Sequence, residues 1–293
     1  MASTAQAAAN PAADLFGGAR VAAWLGAGLR LAHALRPALG TRLAARLFFT
    51  PLPGKRVARR LAAPPGWQIE RWPFERASLT VYRLAGAGAG RRVLLLHGWG
   101  GHALQLLPLA EALRADDFDP VLLDFPAHGR SDGERSTLPQ FLRALEYAVA
   151  RLGPIDAVVA HSLGALAAAA ALQRGLAWRR LVLLAPSPPP RQVLGWFARG
   201  LGLDPAQRER MQAHIEASEG LLLDRFEPEQ LGRALQLPTL IVHDRADRVA
   251  PFDISRRLAA LGSGVRLWPT EGLGHRRLLG DAEVAAAVLD HLR

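Results

Sequence analysis

The chain has 293 residues, half of them apolar, with a formal charge of +10 and no cysteine. This is enough apolar sequence for one large core, and it excludes a disulfide framework, a zinc–thiolate site and a thiol nucleophile. The charge is concentrated: residues 1 to 63 hold nine basic side chains against Asp14 alone, and the remainder is close to neutral. No recognition motif or aromatic platform accompanies the basic residues, so nucleic-acid binding is not expected.

Residues 1 to 14 are small, polar or alanine, with no basic segment ahead of an apolar core, and do not read as a secretory leader. From Leu15 to Phe49 the sequence is helix-prone, with breaks expected near Pro37 and Gly40. Its longest uncharged run, Val21 to Leu29, is far short of the ~20 residues that span a bilayer. Arg42 and Arg46 share one helical face while Leu39, Leu43 and Leu47 line another. Two readings follow: a peripheral contact between the basic helix and an anionic membrane surface, or, the simpler one, a helix packed on its parent domain with its arginines in water. A cytoplasmic protein is expected, membrane-associated only under the first reading. Pro51, Pro53, Gly54, Pro64, Pro65 and Gly66 are dense enough that no helix is expected among them. Residues 1–66 are therefore taken as a basic helical N-terminal extension and 67–293 as the main domain.

Residues 68 to 72 and 78 to 84 alternate as an antiparallel pair of strands, and the Gly-Ala run at 86 to 90 reads as a turn. Thereafter short apolar runs alternate with helical patterns, the mark of a mostly parallel sheet with helices on both faces. The strands are expected at 93–96, 121–123, 157–159, 181–184, 240–242 and 265–268, with helices near 103–115, 137–152, 163–174, 252–261 and 281–292. Residues 187–236 depart from this rhythm. Their proline-rich start, their length and their apolar content predict a helical lid, with Trp196 and Phe197 as candidates to contact the substrate's acyl group or to hold the lid on the core.

Reactive groups in such sheets gather at the carboxyl ends of the strands. Ala160-His161-Ser162-Leu163-Gly164 ends one apolar run and opens an alanine-rich helix, so Ser162 is raised on a tight turn as a nucleophile. The amide of Leu163, in the first helical turn, faces the same space, and the glycines around Trp99 free a second amide; together they are candidates for an oxyanion hole. His97 reads as structural, and the loop Asp124 to Gly133 as scaffold. Past the strand ending at Val242, Asp247 is the preferred partner for a general base and Asp244 the reserve. His275, in a glycine loop after the last strand, is the base that fits, and the order Ser162, Asp247, His275 is that of a nucleophile-elbow hydrolase.

With LLLHGWGG, DFPAHGRSDG, AHSLG, HDRADRVAP and GLGHRRLL in that order, residues 67 to 293 resemble the α/β-hydrolase superfamily, and its esterases and lipases in particular. The resemblance implies that Ser162 attacks, His275 relays the proton, Asp247 orients it, and Trp99 with Leu163 supplies the oxyanion amides. Ala160 departs from the glycine that usually opens the elbow, and Asp244 from the glycine common before the acid loop; neither removes a reacting atom. A serine at the elbow disfavours members that form an ester on aspartate. The function expected is hydrolysis of a small-molecule carboxylic ester through an acyl-enzyme, without metal or organic cofactor. The alternatives are a thioesterase, lactonase or C–C bond hydrolase, or, from another class, a non-catalytic ligand-binding or membrane-associated protein on the same fold. The oligomeric state is not legible.

Overall fold

The computed structural model describes residues 18–52, 55–86 and 90–293. The segment 1 to 14 and the middle of the glycine-rich turn lie outside the described residues. The chain divides into two compact units, one combining the sequence up to Phe48 with Pro190–Leu222, the other Phe49–Pro189 with Leu223–Arg293.

The second unit is built on an eight-stranded sheet in the order β1-β2-β4-β3-β5-β6-β7-β8. Its strands are β1 Trp67–Phe74, β2 Ala77–Leu84, β3 Arg91–Leu96, β4 Phe118–Asp124, β5 Ala157–His161, β6 Arg180–Leu184, β7 Thr239–Asp244 and β8 Val265–Thr270. β1 and β2 form the expected antiparallel pair, β2 runs antiparallel to β4, and every later pairing is parallel. β4, β5, β6 and β7 are buried on both faces, which is why they read as nearly unbroken apolar runs, whereas the edge strand β8 is only partly covered. Val93, Leu95, Val159, Val182 and Leu240 share one core with Leu106, Leu109, Leu113, Val284 and Val288 from helical segments.

In chain order the helices are α1 Ala19–Leu35, α2 Pro37–Phe48, α3 Lys55–Arg60, α4 Leu107–Ala115, α5 Leu138–Leu152, α6 Leu163–Gln173, α7 Pro190–Gly200, α8 Pro205–Glu219, α9 Pro228–Gly232, α10 Asp253–Leu261, α11 Gly274–Arg277 and α12 Ala282–Leu292. α5 starts where its sequence signals it: the Thr137 side chain accepts from the Gln140 amide, and Pro139 occupies the first turn. α3 corrects the expectation that no helix forms between Pro51 and Gly66. Its six residues start after Pro53 and stop before Pro64, so no proline interrupts them.

In the first unit the chain breaks at Arg36, which is extended as a residue before proline must be. Gly40 does not break the helix: it lies buried inside α2, where a Cβ would stand 2.5 Å from the His33 ring. Gly26 is needed on α1 for the same reason, since a Cβ there would meet the Leu201 carbonyl oxygen at 2.0 Å. The inward face of α2 is thus made of small residues, Gly40, Thr41, Ala44 and Ala45, while Leu39 and Leu43 are exposed. The predicted insert divides: α7 and α8 belong to this unit, whereas Leu223 to Gln236 belong with the sheet.

Two buried polar groups hold the loops at the carboxyl end of β3 and β4. Asp124, fully buried, accepts from the amides of Ala103 (2.7 Å) and Arg130 (2.8 Å) and from the Tyr82 hydroxyl (3.0 Å). Gly129, at φ +53°, passes so close that a Cβ would lie 2.0 Å from this carboxylate. His97 donates from Nδ1 to the Gly98 carbonyl (2.7 Å) and accepts at Nε2 from the Phe125 amide (3.0 Å), which fixes its tautomer and gives it the structural place expected of it.

Burial pushes the Asp124 carboxyl up to about 6, against the amide and hydroxyl donors that favour its charge. Its contribution to stability is therefore fully present below the unfolded carboxyl's ordinary value and is lost as pH rises through about 6. In urea unfolding, the stability difference between the wild type and Asp124→Asn should shrink from pH 4 to pH 7, by on the order of 3 kcal/mol.

Candidate active site

β5 ends at His161, and the chain turns into α6 through Ser162 at φ 53°, ψ −119°. This is a positive-φ conformation that a side chain resists, at a cost on the order of 1–3 kcal/mol. The neighbours explain how it is held. The Ser162 amide donates to the Leu184 carbonyl (2.9 Å), and its own carbonyl accepts from the amides of Leu166 and Ser187 (each 3.2 Å). Gly164 has no room for a side chain, because a Cβ would stand 2.5 Å from the His97 carbonyl oxygen. Ala160 is fully buried between its ladder partners Leu96 and Leu183, so the methyl group in place of the usual glycine is accommodated.

The imidazole of His275 reaches Ser162 from α11. Its Nε2 lies 3.0 Å from Ser162 Oγ, and its Nδ1 donates to Asp247 Oδ2 at 2.7 Å. The three side chains named from the sequence thus form one hydrogen-bonded chain, although its serine and histidine are 113 positions apart in sequence. Of the two aspartates considered, Asp247 makes this contact. Asp244 instead accepts from the Ala246 amide, the Thr270 hydroxyl and the Leu273 amide, pinning the loop that carries the histidine.

The Asp247 side chain is completely buried. Burial raises its carboxyl, but hydrogen bonds from His243 and His275, the His275 charge and the Ala250 amide outweigh it and hold the group well below the ordinary carboxylate range. It is therefore ionised at neutral pH and can stabilise an imidazolium beside it. Its other oxygen accepts from the amides of Val249 (2.7 Å) and Ala250 (3.0 Å).

Two histidines that the sequence left as loop or strand-end residues support this chain. His243, with a fully buried side chain, accepts from the Ser255 hydroxyl (2.6 Å) and directs Nε2–H to the Ala250 carbonyl (2.9 Å) and Asp247 Oδ2 (3.2 Å). His161 donates from Nε2 to the His275 carbonyl (2.9 Å), its ring 4.8 Å from that of His275. Burial and the neighbouring His275 lower His161 to about 3, so it stays neutral. The only sequence signal for either was a histidine beside an already suspected position.

On the other side of Ser162 lies the turn after β3. A Cβ on Gly98 would stand 3.1 Å from Ser162 Oγ, so Gly98 brings the backbone before Trp99 against the serine. The Trp99 ring is fixed by His128 (5.0 Å) and Phe141 (6.3 Å). Leu163 opens α6, so its amide is one of those with no carbonyl to bond inside the helix. Trp196 and Phe197 lie on α7 in the first unit; Trp196 is half-buried, and Phe197 is buried with its ring edge-on to Phe48 at 5.1 Å. Among the described residues no group of three or more His, Asp or Glu side chains could hold a metal ion.

The model of the alpha/beta hydrolase family matches residues 93–288, two thirds of the chain. The chain belongs to the alpha/beta hydrolase family. Membership places its chemistry, at family level, among hydrolases and esterases. A pimeloyl-[acyl-carrier protein] methyl ester esterase of Xanthomonas axonopodis pv. citri is 30% identical over 245 residues, covering 69% of this chain and 94% of that protein. Among solved structures, the Pyrococcus furiosus esterase Pf2001 superposes with TM-score 0.61 at 19% identity, over 83% of this chain and 97% of that one. The Est1E protein of Butyrivibrio proteoclasticus, solved with ferulic acid, gives TM-score 0.60 at 17% identity, over 76% and 96%. The fold of this hydrolase is shared with both.

The different surroundings of the two aspartates separate their roles. Asp247→Asn should lower kcat/KM by on the order of 10³–10⁴ by leaving His275 without its anionic partner. Asp244→Asn should chiefly lower the melting temperature, because it removes a loop tether. Ester kinetics alongside thermal melts would read both, and the reverse ranking would exchange the assignments.

Proposed function

We propose that this protein hydrolyses carboxylic esters through an acyl-enzyme on Ser162. The observation that carries the reading is the chain Ser162 Oγ, His275, Asp247, with its 3.0 and 2.7 Å contacts. As Ser162 Oγ attacks the ester carbonyl carbon, its proton passes to His275 Nε2, and the buried Asp247 carboxylate stabilises the imidazolium. The developing oxyanion is received by the amides of Trp99 and Leu163, the latter at the positive end of α6, each donor lowering the barrier by about 3 kcal/mol. Collapse expels the alcohol, which takes the proton from His275. Water activated by the same imidazole then releases the acid and restores Ser162.

A fluorophosphonate probe tests the nucleophile directly. The wild type should be labelled, and Ser162→Ala should lose labelling and lower kcat by on the order of 10⁴–10⁶. Full activity in that variant would overturn the reading. Because the relative that is 30% identical is a methyl ester esterase, methyl esters belong in the substrate panel beside longer alkyl esters and thioesters.

The insert leaves the sheet at the reacting centre, since the Ser187 amide bonds to the Ser162 carbonyl just before the Pro188-Pro189-Pro190 run. That exit supports a role for α7 in acyl selection, as a lid. Trp196→Ala should shift the preferred acyl length without changing fluorophosphonate labelling. Phe197→Ala, which removes a ring packed on Phe48, should lower stability by about 3–5 kcal/mol. A chain-length panel and thermal melts on both variants distinguish the two effects; unchanged chain-length preference in Trp196→Ala would remove it from the substrate's path.

A further inference from the structure

The apolar side chains of the first unit do not all turn inward. On α1 the residues Ala22, Gly26, Leu29 and His33 are buried, and they recur at the three-to-four-residue interval of one helical face. The opposite face carries Trp24, Leu31 and Leu35, which fall within about 40° of one another around the axis and are 80%, 61% and 74% exposed. Val21 flanks them, also exposed. On α2 the exposed leucines, Leu39 and Leu43, alternate with Arg42 and Arg46. Large apolar side chains grouped in this way on a monomer's surface mark an interaction site, and an outward tryptophan is the side chain favoured at a membrane–water boundary.

The charge around this face selects the occupant. Arg20, Arg36 and Arg42 are exposed, whereas the Arg30 guanidinium donates to the Leu201 carbonyl (2.9 Å), and residues 18 to 48 contain no aspartate or glutamate. Arg20 opens α1 on the same side as Trp24, and Arg36 follows directly on Leu35 at its other end. An apolar stripe whose own segment carries cations and no carboxylate fits a surface that is apolar within and anionic outside. A second copy of the chain fits poorly, because a two-fold contact through this face would bring the same arginines together with no carboxylate in the segment to answer them. The helix is not a membrane span, since no helix among the described residues is long and apolar enough to cross a bilayer.

We infer that the exposed face of α1, with Trp24, Leu31 and Leu35 inserted and Arg20, Arg36 and Arg42 at the headgroups, docks the protein on anionic phospholipid bilayers. This inference does not rest on the hydrolase reading.

The test uses the full chain and vesicles of phosphatidylcholine with and without phosphatidylglycerol. The protein should sediment with the phosphatidylglycerol vesicles at low salt and be released at high salt. Substituting Trp24, Leu31 and Leu35 by Ser, or Arg20, Arg36 and Arg42 by Gln, should each weaken binding by more than about ten-fold, with the far-ultraviolet circular dichroism unchanged. A gentler variant keeps the test valid if either triple substitution fails to fold: brominated lipid should quench a component of tryptophan fluorescence that Trp24→Phe lacks. Absence of sedimentation, equal binding to phosphatidylcholine alone, or quenching that survives in Trp24→Phe would each overturn the inference. So would a concentration-dependent dimer that the triple serine variant abolishes, which would assign the face to a second copy.

Discussion

At Ser162 the backbone must pass from a strand in the middle of the sheet to a helix above it with no connecting loop, and φ 53° is what that passage requires. Such a conformation persists only where its surroundings over-determine it. Here they do so from three directions: the amide and carbonyl of Ser162 are bonded to β6 and the chain following it, Gly164 lets α6 approach the end of β3, and Gly98 lies against the serine itself. The strain and its supports are one device. The same packing that makes the turn affordable also places the β3 loop and the start of α6 on either side of one hydroxyl.

The polar groups around the turn divide into those that hold backbone and those that hold charge. Asp124 and His97 are buried and spend their hydrogen bonds on loop amides and carbonyls, fixing the turn after β3 relative to β4. Asp244 does the same for the loop before His275. Asp247 differs in having two imidazoles on one oxygen and two amides on the other. Those donors, rather than solvent, keep it ionised in a fully buried position, and a buried anion with ordered donors needs no rearrangement when charge appears on the adjacent ring.

The first unit follows a different logic. Its helices meet through small residues: Gly26 against the Leu201 carbonyl, Gly40 against His33, Ala44 and Ala45 within the contact. These close approaches put small residues on the inward faces of α1 and α2, so the unit's large buried side chains come chiefly from Pro190–Leu222 (Phe197, Leu201, Met211, Ile215), and Trp24, Leu31 and Leu35 remain outside. The apolar content of this segment therefore serves a surface as much as a core.

Much of this was legible in the sequence because it is local. Short apolar runs alternating with helical patterns gave the strands and their parallel pairing, and the small residues around Ser162 gave the strand–turn–helix. The order of Ser162, Asp247 and His275 along strand ends follows from the same rhythm. The remainder depended on contacts between distant segments. Asp244 and Asp247 are three residues apart in one charged stretch of sequence, and the path of the loop carrying His275 decides which of them the imidazole meets. His243 could not be linked to Asp247 before the ring was seen to turn back toward the Ala250 carbonyl. Leu39 and Leu43 had the spacing of a packing face, and Gly40 the look of a helix breaker, until the approach of α1 required small side chains on the inward side of α2. Periodicity marks the faces of a helix, but which face is buried depends on what it meets.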